Sequence, residues 1–147
     1  MGQMFYYLDM KRILVTTDFS CHSKHTIDYV LNFLCETQIP CQLLLVNTYM
    51  VQQTDPKQVI LLNDELKKKS KEGLEREREE AMKKVTNPRI SIDVISHMGS
   101  LKNIIMQMLK TDKMDLVAMG KDGGKNVETI AALLKQQQCP LLITYFN

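Results

Sequence analysis

The hydrophobic residues of this chain fall into short continuous runs that are separated by segments with helical spacing. Five runs rich in Leu, Ile and Val predict strands, at residues 12–17, 43–46, 90–95, 115–119 and 141–146. Continuous apolar runs, rather than alternating ones, are typical of strands in a sheet that is covered on both faces. The pattern therefore predicts a buried parallel sheet.

The segments between these runs carry apolar residues three and four positions apart, which predicts an amphipathic helix in each. A Gly99-Ser100 pair caps the third predicted helix, and the fourth opens at Val127. The order of elements is β-α-β-α-β-α-β-α-β, which is typical of a parallel sheet wound with helices on both faces. A length of 147 residues predicts a single domain over residues 1–147.

The second predicted helix, at roughly residues 57 to 85, is the longest and most polar element. Its apolar stripe is thin, and it carries several pairs of Glu with Lys or Arg at i,i+4 spacing. We expect this helix to be weakened or bent near Gly73, because glycine disfavours a helix interior. The charge runs Lys67 to Lys69 and Glu77 to Glu80 have mixed signs, so we interpret them as a solvated face rather than a nucleic-acid surface.

The loops after the first and fourth strands carry the main candidates for a binding site. In parallel sheets, ligands bind beyond the carboxyl ends of the strands, where the winding direction reverses. If the strand order is 3-2-1-4-5, the loop Thr16 to Ser20 meets the loop Met119 to Gly124 at that point. The second loop contains a Gly-x-x-Gly sequence, and glycines let backbone N–H groups approach a phosphate closely. The residues predicted to line this crevice are Thr16, Thr17, Asp18, Met119, Gly120 and Gly123.

Simpler structural roles stay open for the same residues. Asp18 precedes the first helix and is suited to cap it without a ligand. The glycines are equally compatible with a tight turn from strand to helix. No serine stands in a Gly-x-Ser-x-Gly elbow, so no catalytic residue is predicted. His22 and His25 lack carboxylate or cysteine partners at ligand spacing, so no metal site is predicted.

Composition and charge exclude several classes of function. The formal net charge of +2 is too close to neutral to indicate a nucleic acid or an anionic membrane as partner. No stretch approaches the roughly 18 apolar residues of a transmembrane helix. The start of the chain lacks the features of a signal peptide, and the four cysteines form no C-x-x-C pair. We therefore expect a cytoplasmic protein with reduced cysteines.

Five segments of the chain carry a family likeness in their order and spacing: Ile13 to Ser20, Leu44 to Thr48, Gly99-Ser100, Asp115 to Gly120 and Cys139 to Ile143. Together they resemble the universal stress proteins. The resemblance runs from about residue 10 to the C-terminus. It implies an adenine-nucleotide alpha-hydrolase-like fold, which is a five-stranded parallel doubly wound sheet of order 3-2-1-4-5. It also implies a homodimer formed through the last strand, Leu141 to Phe146.

The resemblance also implies a ligand, because the family has one branch that binds ATP and one that does not detectably bind it. In the binding branch, an aspartate after the first strand and a residue after the second hold the adenosine. These positions fall on Asp18 and Thr48. The phosphates lie against a Gly-x-x-Gly loop, whose positions fall on Gly120 and Gly123, and the only metal implied is the magnesium that accompanies ATP.

This chain departs from the ATP-binding pattern after Gly123. About nine residues and then Gly-Ser or Gly-Thr belong there, but only three residues separate Gly123 from Val127-Glu128. Valine does not permit a glycine's close backbone approach, and the carboxylate of Glu128 opposes a triphosphate. We therefore expect a homodimeric regulatory or binding protein that binds ATP weakly or not at all. The alternative is an ATP-binding member that uses Asp18 and the Gly120-x-x-Gly123 loop, with slow ATP hydrolysis.

Overall fold

The computed structural model describes residues 11–37, 39–51, 55–121 and 125–145. Five strands, β1 (Lys11–Thr16), β2 (Cys41–Tyr49), β3 (Ile90–Met98), β4 (Leu116–Gly120) and β5 (Leu141–Thr144), are connected by four helices. The helices are α1 (Cys21–Thr37), α2 (Pro56–Lys84), α3 (Leu101–Thr111) and α4 (Lys125–Gln136). All strand pairs are parallel, and the order is β3-β2-β1-β4-β5. The predicted fold class and strand order are confirmed.

Both faces of the sheet are buried, because successive strand residues point to opposite sides. On one side, Ile13 and Val15 pack in a cluster with residues of α1 and α2. On the other side, Leu14 packs in a second cluster with residues of α3 and α4. Leu14 and Val15 are fully buried although they are neighbours in sequence. This burial explains why the strand sequences are continuously apolar.

One helix begins at a different residue from its prediction, and a second is continuous. α2 runs through Gly73 as a single helix, so the weakening or bend predicted there does not break it. α4 begins at Lys125, two residues before the predicted start at Val127. Val127 is only 9% exposed and belongs to the second cluster, so its side chain is part of the hydrophobic core.

The interpretation of the run Glu77 to Glu80 as a solvated face is wrong at Glu77. That side chain is 6% exposed, whereas Glu79 and Glu80 are exposed as expected. The reason is its position on the helix. Glu77 lies three residues after Leu74 and four before Ala81, both of which are buried, and residues at this spacing share one helical face. None of the described helices is long and apolar enough to cross a bilayer.

Candidate functional site

A cleft of about 200 Å³ opens beyond the carboxyl ends of β1, β2 and β4. It lies beside the first and fourth strands, which neighbour each other in the sheet although two strands and three helices separate them in sequence. The winding direction reverses at this point, because β2 and β3 lie on one side of β1 and β4 and β5 on the other.

The structure brings six of the seven residues singled out in the sequence to the wall of this cleft. The seventh, Gly123, lies outside the described residues. Sequence reasoning missed five further lining residues, two of them polar residues of α1 and one an amide at the end of β2. The six are Thr16, Thr17, Asp18, Thr48, Met119 and Gly120, and the five are His22, Ser23, Val46, Asn47 and Leu101.

Hydrogen bonds within the loop after β1 fix the position of the Asp18 carboxylate. Asp18 Oδ1 accepts from Ser23 Oγ at 2.7 Å and from the backbone N–H of Ser20 at 3.0 Å. The same Ser23 hydroxyl accepts the backbone N–H of Asp18 at 3.1 Å. Ser20, not Asp18, caps α1, since its hydroxyl accepts the N–H of Ser23 at 3.3 Å. Asp18 therefore shapes the turn ahead of the helix instead of capping it.

Phe19, in the middle of this loop, has an unusual backbone conformation. Its φ of +67° lies in the left-handed region, which aromatic residues rarely adopt. Two interactions hold it there. Its N–H donates to Thr17 Oγ1 at 3.1 Å, and its ring lies over Gly73 of α2. A Cβ at Gly73 would stand 2.6 Å from Phe19 Cζ, so only glycine leaves room for the ring.

Thr17 is the residue through which the rest of the fold holds the loop. Its hydroxyl donates to the Glu77 carboxylate, with distances of 2.6 Å to Oε1 and 3.1 Å to Oε2. Its carbonyl accepts from Asn47 Nδ2 at 2.7 Å, and its N–H donates to the carbonyl of Val46 at 2.9 Å. Residues of β2 and α2 thus position the wall of the cleft.

Burial raises the pKa of the Glu77 carboxyl above its ordinary value. The hydrogen bond from Thr17 and the charge of Lys24 act in the opposite direction, because both favour the ionised form. The negative charges of Glu80 and Asp18 raise the pKa further. Glu77 is thus a partly compensated buried carboxylate directly behind the cleft.

Gly120 has a packing reason to be glycine. A Cβ there would stand 3.0 Å from the carbonyl oxygen of His22 and 3.0 Å from Thr26 Oγ1, both on α1. Thr26 Oγ1 in turn lies 2.6 Å from Thr144 Oγ1 of β5. The residue at this strand end is therefore small because α1 crosses it closely.

The chemistry of the cleft wall suits neutral polar groups better than several phosphates. Its polar lining consists of hydroxyl groups, the Asn47 amide, the Asp18 carboxylate and the His22 ring, and no Lys or Arg is part of the described wall. Lys121 follows β4 directly, but its Nζ lies 5.2 Å from the centre of the Tyr145 ring, in a cation–π contact. Among the described residues, no group of three or more His, Cys, Asp or Glu side chains is arranged to hold a metal.

Known protein families and solved structures include proteins that are similar to this chain. A model of the universal stress protein family matches residues 10–144. Among curated protein sequences, none matches this chain.

Solved structures with the same fold include three universal stress proteins. One, from Burkholderia pseudomallei, is 17% identical, with a TM-score of 0.68 over 91% of this chain and 95% of that one. One from Arabidopsis thaliana, with AMP bound, is 17% identical, with a TM-score of 0.68 over 93% and 92%. One from Archaeoglobus fulgidus, in complex with dAMP, is 12% identical, with a TM-score of 0.58 over 90% and 96%. At these identities the likeness establishes the fold.

Proposed function

Because the chain belongs to the universal stress protein family, as its sequence resemblance predicted, we propose that it is a binding protein whose cleft holds the adenosine portion of an adenine nucleotide. The observation that carries this proposal is the grouping of Asp18, Asn47 and Thr48 at one cleft beside β1 and β4. A carboxylate at such a position is suited to accept hydrogen bonds from ribose hydroxyls. Two relatives of the same fold have AMP or dAMP bound.

The same wall supports a preference for the nucleoside over the triphosphate. A cleft of about 200 Å³ is smaller than the roughly 300–1,000 Å³ of typical small-molecule sites. The described wall offers no Lys or Arg to neutralise phosphates. Glu128 adds a negative charge in the first turn of α4. We therefore expect ATP to bind more weakly than AMP, with a dissociation constant above about 10 μM.

The test is a calorimetric titration with adenosine, AMP and ATP with magnesium. Asp18→Asn should weaken adenosine binding about tenfold, because a neutral acceptor replaces a charged one while the amide oxygen still accepts from Ser23. The matched control is Asp112→Asn, which makes the same charge change in an exposed ion pair with Arg12. Equal effects of the two variants would contradict the proposed role of Asp18. Tight ATP binding, well below 10 μM, would favour an ATP-binding member that uses Asp18 and Gly120-x-x-Gly123.

We further propose that two copies of the chain pair through β5. This strand lies at an edge of the sheet, and unpaired strand edges invite pairing with another chain. Apolar surface continues beside it, since Tyr29 and Phe33 are each 51% exposed and share a side of α1 with Thr26, which contacts β5. The predicted interface runs to Phe146, which lies outside the described residues. A cytoplasmic location likewise stays a prediction from the sequence.

Ultracentrifugation tests the dimer. Ile143→Lys in β5 should give a monomer, because an unpaired ammonium group would replace a partly buried apolar side chain on the strand that the partner copy covers. Ser91→Lys is the control, since it places the same charge at an exposed position of β3, the strand at the opposite edge of the sheet. A wild-type monomer, or a dimer that survives Ile143→Lys, would contradict pairing through β5.

A further inference from the structure

Glu77 lies outside the wall of the cleft, and the proposed nucleotide site does not by itself account for it. We propose that Glu77 is a positioning residue: its ionised carboxylate holds the Thr17–Ser20 loop in the shape that binds adenosine, so that protonation of Glu77 weakens binding. This inference rests on the proposed function, since it concerns the same cleft. It adds a control of that cleft by pH, exerted from α2.

The first step is the direction of the hydrogen bond between Thr17 and Glu77. A hydroxyl has a single proton to donate, and an ionised carboxylate can only accept. With Glu77 ionised, the Thr17 proton therefore points to the carboxylate, and Thr17 Oγ1 lies 2.6 Å from Glu77 Oε1. The lone pairs of the Thr17 oxygen remain for the N–H of Phe19, which donates to it at 3.1 Å. The charge on Glu77 thus orders two successive hydrogen bonds of the loop.

The second step is the strain that these bonds restrain. The left-handed conformation of Phe19 costs free energy and persists only where its surroundings enforce it. The bond from Phe19 to Thr17 and the seat of its ring on Gly73 provide that enforcement. Both contacts depend on α2. Gly73 leaves room for the ring, and Glu77, one turn later, accepts from the Thr17 hydroxyl to which the Phe19 N–H donates. Asp18, the proposed ribose ligand, lies between Thr17 and Phe19 and moves with them.

The third step is protonation. A protonated Glu77 is itself a donor, so the charge-assisted bond becomes a neutral one of roughly half the strength, and the Thr17 proton is no longer directed. Because the carboxyl is buried, it takes up its proton at a higher pH than an exposed glutamate does. The loop should therefore loosen under mildly acidic conditions.

The charged groups around Glu77 come from α1, from α2 and from the loop after β1. Lys24 favours the ionised form, and Glu80 and Asp18 oppose it. Further charged side chains line the two grooves beside Glu77 between α1 and α2, namely Asp28, Lys69, Glu72, Arg76 and Lys84. Lys84 is paired with Asp28 at 2.7 Å.

Adenosine titrations of wild type and Glu77→Gln from about pH 5 to pH 8 test the proposal. Adenosine carries no phosphate, so the ligand's own charge does not change in this range. At about pH 8 the variant should bind about fivefold more weakly, because a neutral hydrogen bond replaces a charge-assisted one. The ratio of the two affinities should approach one as the pH is lowered through the raised pKa of Glu77, because wild-type Glu77 then takes up a proton. Glu79→Gln, the same change at an exposed position on α2 whose charge is not among those acting on Glu77, should follow the wild type throughout.

Hydrogen exchange gives a second readout that needs no ligand. Protection of the Phe19 amide, corrected for intrinsic exchange, should fall in wild type as pH is lowered through the Glu77 pKa. The internal control is the amide of Asn103, which donates to the hydroxyl of Ser100 at 3.2 Å in the cap of α3. Its protection should not follow the titration of Glu77.

The outcomes separate this inference from the proposed function. If wild type does not bind adenosine at any pH, the proposed function fails, and the Phe19 amide alone decides the role of Glu77. If wild type binds but the variant binds equally well with the same pH profile, the role of Glu77 is refuted. If the Glu77→Gln variant does not fold, pH-independent protection of the Phe19 amide in wild type refutes the role of Glu77.

Discussion

The ring of Phe19 lies directly on the backbone of Gly73, so close that a Cβ on Gly73 would stand 2.6 to 2.9 Å from three of its carbon atoms. The two residues belong to elements far apart in sequence, the loop after β1 and the middle of α2. Gly73 thus has two effects: it lowers the stability of the helix, and it leaves room for the Phe19 ring. The contact links the shape of the proposed nucleotide site to the packing of α2 on the sheet.

Gly73→Ala should separate these two effects. Alanine gains about 1 kcal/mol of helix propensity, but its methyl group displaces the Phe19 ring and the loop with it. We expect the free energy of unfolding to stay within about 1 kcal/mol of wild type, while adenosine affinity falls about fivefold. Chemical denaturation and calorimetry measure the two quantities. The double variant Gly73→Ala/Phe19→Leu should recover part of the affinity, because leucine is shorter than phenylalanine; unchanged binding by the single variant would contradict the role of this contact.

The buried carboxylate predicts an unusual pH dependence of stability. Because the pKa of Glu77 is higher in the folded protein, the native state binds more protons than the unfolded state between the two values. The contribution of Glu77 to the free energy of unfolding is therefore favourable at low pH. That contribution is lost as the pH rises above about 4.5 and through the pKa of Glu77 in the folded protein. Glu77→Gln should be the more stable protein at about pH 8, and the difference in the free energy of unfolding should narrow as the pH is lowered through the raised pKa of Glu77. Denaturant unfolding of both proteins across this pH range measures the difference in their free energies of unfolding. A variant less stable than wild type at every pH would contradict this account.

The four cysteines should differ widely in reactivity. Burial and the nearby charge of Asp115 raise the pKa of Cys41 to about 12, and the same causes raise the pKa of Cys139. Cys21 is exposed. Since the thiolate is the reactive form, a thiol reagent at about pH 8 should label Cys21 in the native protein and reach Cys41 and Cys139 only on unfolding. Mass spectrometry of labelled peptides checks this, with Cys21→Ser as control. Native labelling of Cys41 at the rate of Cys21 would contradict the burial described.

Glu128 should oppose ATP more than AMP, because ATP carries more negative charge. Glu128→Ser is expected to raise ATP affinity about threefold, a modest gain because the side chain is exposed and screened by solvent. The affinity for AMP should change less, and the gain should shrink in high salt. Calorimetry at two salt concentrations measures both effects. An unchanged affinity for ATP would assign its weak binding to the shortened loop instead of the charge.

The fold could be predicted from the sequence because its determinants are local. Apolar runs such as Leu43 to Val46 and the cap at Ser100 carry their structural meaning within a few residues. Ser100 Oγ indeed accepts from the N–H of Asn103 at 3.2 Å. The crevice followed from the topology alone, since strand ends meet at a known place once the order of the sheet is assumed.

The supports of the cleft could not be predicted, because they depend on contacts across the sequence. Gly73 looked like a defect in a helix until Phe19 was placed on it. Glu77 looked like one member of a solvated charge run, yet the carboxylate and Thr17, 60 positions away in sequence, are hydrogen-bonded. One local signal was available: Glu77 shares its helical face with Leu74 and Ala81, which indicates an inward position.

The most direct test of the central claim is a titration of the wild-type protein with AMP, followed by NMR of the backbone amides. We predict saturable shifts at Asp18, Phe19 and Thr48 around the cleft, and none at Asp112 or Lys113 beyond the amino end of β4. Shifts confined to another surface, or no shifts at millimolar AMP, would contradict the claim that this cleft binds adenine nucleotides.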